Sequence, residues 1–168
     1  MQRRTLLKLG LGASVVLAVA GTGVALLQPG LHQGHLTAGS NEVMRAVARA
    51  VLEGVLPADE SQRAAALAAH LKRLDDAIAA FPAATRGELS QLLALLASAP
   101  GRRALAGLHD AWAEASAADI QQAMQAMRTS RLSLRQQAYH ALRDLTNAAY
   151  FSDPSAWAHL GYPGPMDI

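Results

Sequence analysis

Prolines limit where helices can run in this chain. Pro29, Pro57, Pro82, Pro100 and Pro154 fall between runs rich in Ala and Leu, and Pro163 and Pro165 close the sequence. Proline fixes φ and lacks an N–H, so a helix ends or begins where one stands. The runs between them favour helix. Apolar residues make up 51% of the chain but aromatics only 4%, and Ala and Leu are strong helix formers while strand-favouring side chains are scarce. No stretch alternates at period two. The expected class is all-α: an N-terminal targeting or anchor helix, then a small bundle of about six helices, then an irregular Pro- and aromatic-rich tail. The expected boundaries are a leader over 1–30, a linker over 31–40, a bundle over 41–151, and a short helix with its tail over 152–168.

Apolar spacing and caps place the helices. The first is expected to start after Ser40 or Asn41 and run to Pro57, with Val43, Val47, Val51 and Val55 on one face. Asp59 and Gln62 form a capping pattern for the second, where Leu67, Leu71, Leu74 and Ile78 make a stripe that stops at Pro82. Thr85 and Glu88 offer a second cap, for a helix carrying Leu89, Leu92, Leu93 and Leu96. A fourth helix after Pro100-Gly101 is expected to carry Leu105, Leu108 and Trp112. Ser116 and Asp119 start a fifth, with Ile120, Met124 and Met127 inward, and a sixth runs from near Ser133 to Tyr150. Asp153-Pro154 then opens a short helix that Gly161 can end.

The first 30 residues read as an address. Arg3, Arg4 and Lys8 precede an apolar stretch from Leu9 to Leu27, and no charged residue occurs between Lys8 and Glu42. "QRRTLLK" resembles the twin-arginine export signal: Arg3 and Arg4 are the pair, Leu6 and Leu7 the apolar positions after it, and Lys8 the accompanying lysine. The resemblance implies export of a folded protein to the outer side of the membrane. Residues 9–27 number 19, close to the ~20 that span a bilayer. The single Ala-x-Ala of the first 30 residues, Ala18-Val19-Ala20, lies inside the apolar run, so cleavage and retention as an anchor both stay open. An anchor with Arg3, Arg4 and Lys8 inside obeys the positive-inside rule. "GLGASV" comes after no strand and is not a dinucleotide loop.

Chemistry is sparse in the rest of the chain. It has no Cys, which excludes thiolate sites and disulfides. The leader carries the whole positive excess; without residues 1–27 the net charge is about −1, a poor match to nucleic acid. His32-x-x-His35 lies in a Gly-rich linker, and Asp75-Asp76 reads as a solvated face. Met124 and Met127 read as core filler. Ser116, Ser130 and Ser133 read as caps and turn residues. An enzyme would need a polar pocket from residues such as His109, His140 and Asp144. The expectation is a chain with no catalytic residues, no metal and no cofactor of its own.

The C-terminal stretch differs in kind. Tyr150, Phe151, Trp157 and Tyr162 fall within thirteen positions, while all other residues supply only Phe81, Trp112 and Tyr139. Pro163 and Pro165 stiffen it, and a stiff aromatic segment loses little entropy on docking. "AVLEGVLPAD" (50–59), "AYFSDPSAWAHLGYPGP" (149–165) and the leader together resemble the gluconate 2-dehydrogenase subunit 3 family. That resemblance implies a small exported subunit of a dehydrogenase whose large partner is of the glucose–methanol–choline type, carries FAD and performs the hydride chemistry. The small subunit binds the partner in the cytoplasm, aids its folding or cofactor loading, and lends its signal for joint export to the periplasmic side of the inner membrane. A quinone or a cytochrome then accepts the electrons. Tyr150, Phe151, Trp157, Leu160, Gly161, Tyr162, Pro163, Gly164 and Pro165 are the expected partner contacts. A stand-alone exported helical protein of the envelope, or a lipid-binding module, is the alternative.

Overall fold

A computed structural model describes residues 28–164, with the backbone alone for 158–160. The leader residues Arg3, Arg4, Leu6, Leu7 and Lys8, the stretch 9–27 and Pro165 lie outside the described residues. Within them the protein is mostly helical: α1 (Ala38–Val51), α2 (Glu60–Ala79), α3 (Ala83–Ala97), α4 (Ala117–Arg128) and α5 (Ser133–Phe151), with a 3-10 helix over Pro154–Leu160 after it. A single turn (Ala99–Gly101) and a five-residue π-helical turn (Arg102–Ala106) join α3 to an irregular stretch before α4. No helix among the described residues is long and apolar enough to cross a membrane.

Helix α1 is the hub and packs against α2, α3, α4 and α5. Its burial is correspondingly broad. Val43, Met44, Ala46, Val47, Ala48 and Ala50 are all buried, which leaves little of the circumference to water. Three of those six are Ala, and a helix ringed by others needs small side chains so that its neighbours can approach. The expected single valine face is therefore too narrow. The helix also starts earlier and ends earlier than expected. Thr37 is the N-cap, Ser40 is buried in the first turn against the Thr37 hydroxyl, and the chain leaves the helix at Leu52 rather than Pro57.

The segment read as a linker is packed. Leu31–His32 and His35–Leu36 pair as a two-residue antiparallel hairpin, β1 and β2, and Leu31 is buried. Both residues of its tight turn have positive φ, Gln33 at 52° and Gly34 at 90°, as the twist of a two-residue hairpin demands. Ser90 Oγ accepts from Leu31 N at 3.0 Å on one side. Asp75 accepts from Leu36 N and from His35 Nδ1, both at 2.7 Å, on the other. Asp75 is thus a clamp, while Asp76 pairs outward with Lys72.

The caps sort by outcome. Asp59 accepts from Gln62 N at 2.9 Å, and Ser116 with Asp119 forms the full reciprocal box. Thr85 caps nothing. Helix α3 begins two residues before it with Pro82 at the N-cap, because proline's fixed φ already sets the chain on a helical entry. The expected fourth helix is replaced by the π-helical turn and an irregular run. Leu105, Leu108 and Trp112 are nonetheless buried as core residues. The stray carbonyls of this stretch find side-chain donors: Arg49 Nη2 donates to Ala115 O (2.9 Å), Arg102 Nη2 to His109 O (3.2 Å) and Arg135 Nε to Leu105 O (2.7 Å). Trp112 Nε1 donates to Leu96 O at 2.7 Å, satisfying a carbonyl in the last turn of α3.

Candidate functional site

A small satellite of core lies apart from the main one, built from Ala48, Leu52 and Leu67 with Val51, Leu56 and Tyr150 packed on it. Above it opens a cleft of about 210 Å³. Leu52, Val55, Leu56 and Pro57 form one wall, Ala66, Ala69, His70 and Arg73 of α2 the floor, and Tyr150, Asp153, Ser155 and Ala156 the opposite wall.

Local sequence explains each side. Beyond Leu52 the chain tightens into turns in which Val55 N and Leu56 N donate to Leu52 O, both at 3.1 Å. Arg63, one turn into α2, donates to Pro57 O at 2.9 Å and Ala58 O at 2.6 Å and fixes the corner. Across the cleft, Arg73 Nε donates to Ala149 O at 3.2 Å, and its Nη1 meets Asp153 Oδ2 at 3.1 Å. Asp153 Oδ1 accepts from Ser155 N (3.0 Å) and Ser155 Oγ (2.8 Å). These bonds hold its carboxyl below the usual carboxylate range, with Arg73 adding to the effect. Burial raises the Tyr150 phenol above its ordinary value, and the Asp153 charge adds to that.

His70 is the unusual group. Its side chain is 1% exposed, and neither ring nitrogen has a hydrogen-bond partner among the described residues. Burial, reinforced by the Arg73 charge one turn along the helix, lowers its pKa to about 4. The imidazole is neutral at physiological pH, with one N–H and one lone pair unspent.

The tail is folded. The 3-10 helix ends at Gly161, which has φ of 65°, where the sequence expects a stop. Trp157 is half-buried. Its Nε1 donates to Phe151 O at 2.8 Å, and its ring meets Tyr162 edge-on with centroids 5.5 Å apart. Gly164 is buried against the same indole, and a Cβ there would sit 3.3 Å from Cζ3. Tyr162 (50%) and Phe151 (38%) are exposed, as is Pro163. Leu160 lies in the 3-10 helix.

His109, His140 and Asp144 are all exposed, and His140 stacks edge-on with Tyr139. Met124 and Met127 are buried core. No group of three potential metal-ligating side chains occurs among the described residues. Sequence reasoning passed over His70 and Arg73. The available signal was a histidine set three residues after Leu67 and immediately before Leu71, inside an apolar stripe. No family model, curated protein or solved structure matches this chain.

Proposed function

We propose that this protein is the non-catalytic small subunit of an exported, membrane-associated FAD-dependent alcohol or sugar dehydrogenase. In this reading it binds the folded flavoprotein in the cytoplasm and carries it through the twin-arginine translocase. The FAD belongs to the large partner, and the complex works on the periplasmic side of the inner membrane. Residues 9–27 anchor it there if the leader is kept.

One observation carries the reading furthest. "AVLEGVLPAD" and "AYFSDPSAW", about ninety residues apart, are the body segments that resemble the small-subunit family, and residues of both line one cleft. Phe151 and Tyr162 add exposed aromatic surface beside it, of the kind enriched in interface anchors. The leader motif "QRRTLLK" supports the export half.

The test is purification of the tagged full chain from its native membranes. The expected result is co-purification of a larger chain with flavin absorbance. Recovery of the small chain alone, without flavin, overturns the reading in favour of a stand-alone exported protein. Replacing Arg3 and Arg4 together by Lys should leave the complex intact and strand it in the cytoplasm.

A further inference from the structure

We propose that the cleft over His70 is a binding site for a small, neutral ring compound bearing one hydroxyl group. Two independent observations define it: a walled cavity, and a buried imidazole in its floor with no partner among the described residues.

Size comes first. A cavity of about 150 Å³ admits benzene, and drug-sized ligands occupy roughly 300–1,000 Å³. At about 210 Å³ the cleft suits a substituted single ring and is too small for a nucleotide or a flavin. The walls decide polarity. Leu52, Val55, Leu56, Pro57, Ala66 and Ala69 present apolar surface, which matches the faces of a ring.

Charge decides the rest. Arg73 is already committed to the Asp153 carboxylate and the Ala149 carbonyl, so the rim offers no uncompensated cation for an anionic ligand. The His70 ring is neutral and unspent. Each ring nitrogen can pair with a hydroxyl, which accepts from the N–H or donates to the lone pair, whichever it reaches. Leaving a buried polar group unpaired costs free energy, and a hydroxyl brought to one His70 nitrogen recovers part of that cost while a bare hydrocarbon recovers none. Both nitrogens lie under the cleft surface. Entry of the hydroxyl therefore needs the side chains that line the cleft to part.

The site does not depend on a flavoprotein partner, so it is tested on the full chain alone in detergent. The probe is p-cresol, with toluene as the same ring without the hydroxyl. The readout is the ring ¹⁵N signals of His70 during titration. The expected result is a saturable shift with p-cresol and at least tenfold weaker binding of toluene. His70→Leu, followed through the ligand's own ¹H signals because the imidazole is gone, should abolish the difference between the two. Val55→Trp, a change at an exposed position on the cleft wall, should block both without altering the circular dichroism. Equal binding of toluene and p-cresol, p-cresol binding that survives Val55→Trp, or no saturable shift overturns the assignment.

Discussion

At the scale of single residues, two buried polar side chains show opposite solutions to one problem. Trp112 is buried, and its N–H is spent on the Leu96 carbonyl at 2.7 Å. Replacing it by Phe keeps most of the apolar bulk but orphans that carbonyl, a loss of about 1–3 kcal/mol, measurable as a lower midpoint in chemical denaturation. His70 is buried with nothing to bond among the described residues, so its removal runs the other way. His70→Leu should raise the midpoint at neutral pH. The pH dependence comes from linkage. The unfolded chain protonates this histidine near 6.5 and the folded chain only near 4. The unfolded state therefore binds more protons between those values. The stability is fully present above pH 6.5, falls as pH drops through the window, and levels off below about 4. The loss attributable to His70 is no more than about 3 kcal/mol. The check is the difference between the wild-type and His70→Leu stability curves from pH 6.5 to 4.5, which should fall with pH because the other titrating groups, Asp153 among them, act in both proteins.

At the scale of elements, caps explain which boundaries were legible. Ser116 and Asp119 are adjacent to no competing signal, and their box forms as the spacing predicts. Thr85 has the same spacing to Glu88, but Pro82 stands upstream and starts α3 first. Ser116→Ala should therefore cost about 1 kcal/mol, while Thr85→Ala should change stability by less than about 0.5 kcal/mol; thermal unfolding of the two variants in parallel distinguishes them. The stretch around Leu105, Leu108 and Trp112 teaches a different lesson. Apolar spacing identified its core residues correctly and its conformation incorrectly. Periodicity reports which side chains are buried, whereas the backbone path here depends on distant donors, Arg49 and Arg135, that no local pattern displays. The hairpin at 31–36 was hidden in the same way: composition marks Gly and His as linker, and only Ser90 and Asp75, 59 and 39 residues away, turn the segment into packed structure. The cleft was half legible, since one wall comes from the conspicuous tail segment that begins at Tyr150 while its floor is an ordinary Ala-rich helix face.

At the scale of the whole molecule, arginine does the work that a larger aromatic core does elsewhere. Arg49, Arg63, Arg73, Arg86, Arg102 and Arg135 each donate to a backbone carbonyl, tying turns and helix ends together around an alanine-rich hub. The tail is fastened in this manner too. Arg73 reaches from α2 to the Ala149 carbonyl and the Asp153 carboxylate, so the bundle sets the end of α5, while Trp157, Tyr162 and Gly164 pack on one another. Trp157 bonds Phe151 and stacks on Tyr162, and of the four tail aromatics Phe151 and Tyr162 are the exposed ones. The main core does not include Trp157 or Tyr162. Replacing both by Ala should therefore leave the far-ultraviolet circular dichroism and the cooperative unfolding of α1–α5 nearly unchanged. Under the proposed function the same double variant loses exposed aromatic area and the stiffness that presents it, and recovery of the flavin-bearing chain should fall at least tenfold. If the helices melt instead, the tail is part of the bundle's own core. If the helices persist and the flavoprotein is still recovered in full, the docking surface lies elsewhere.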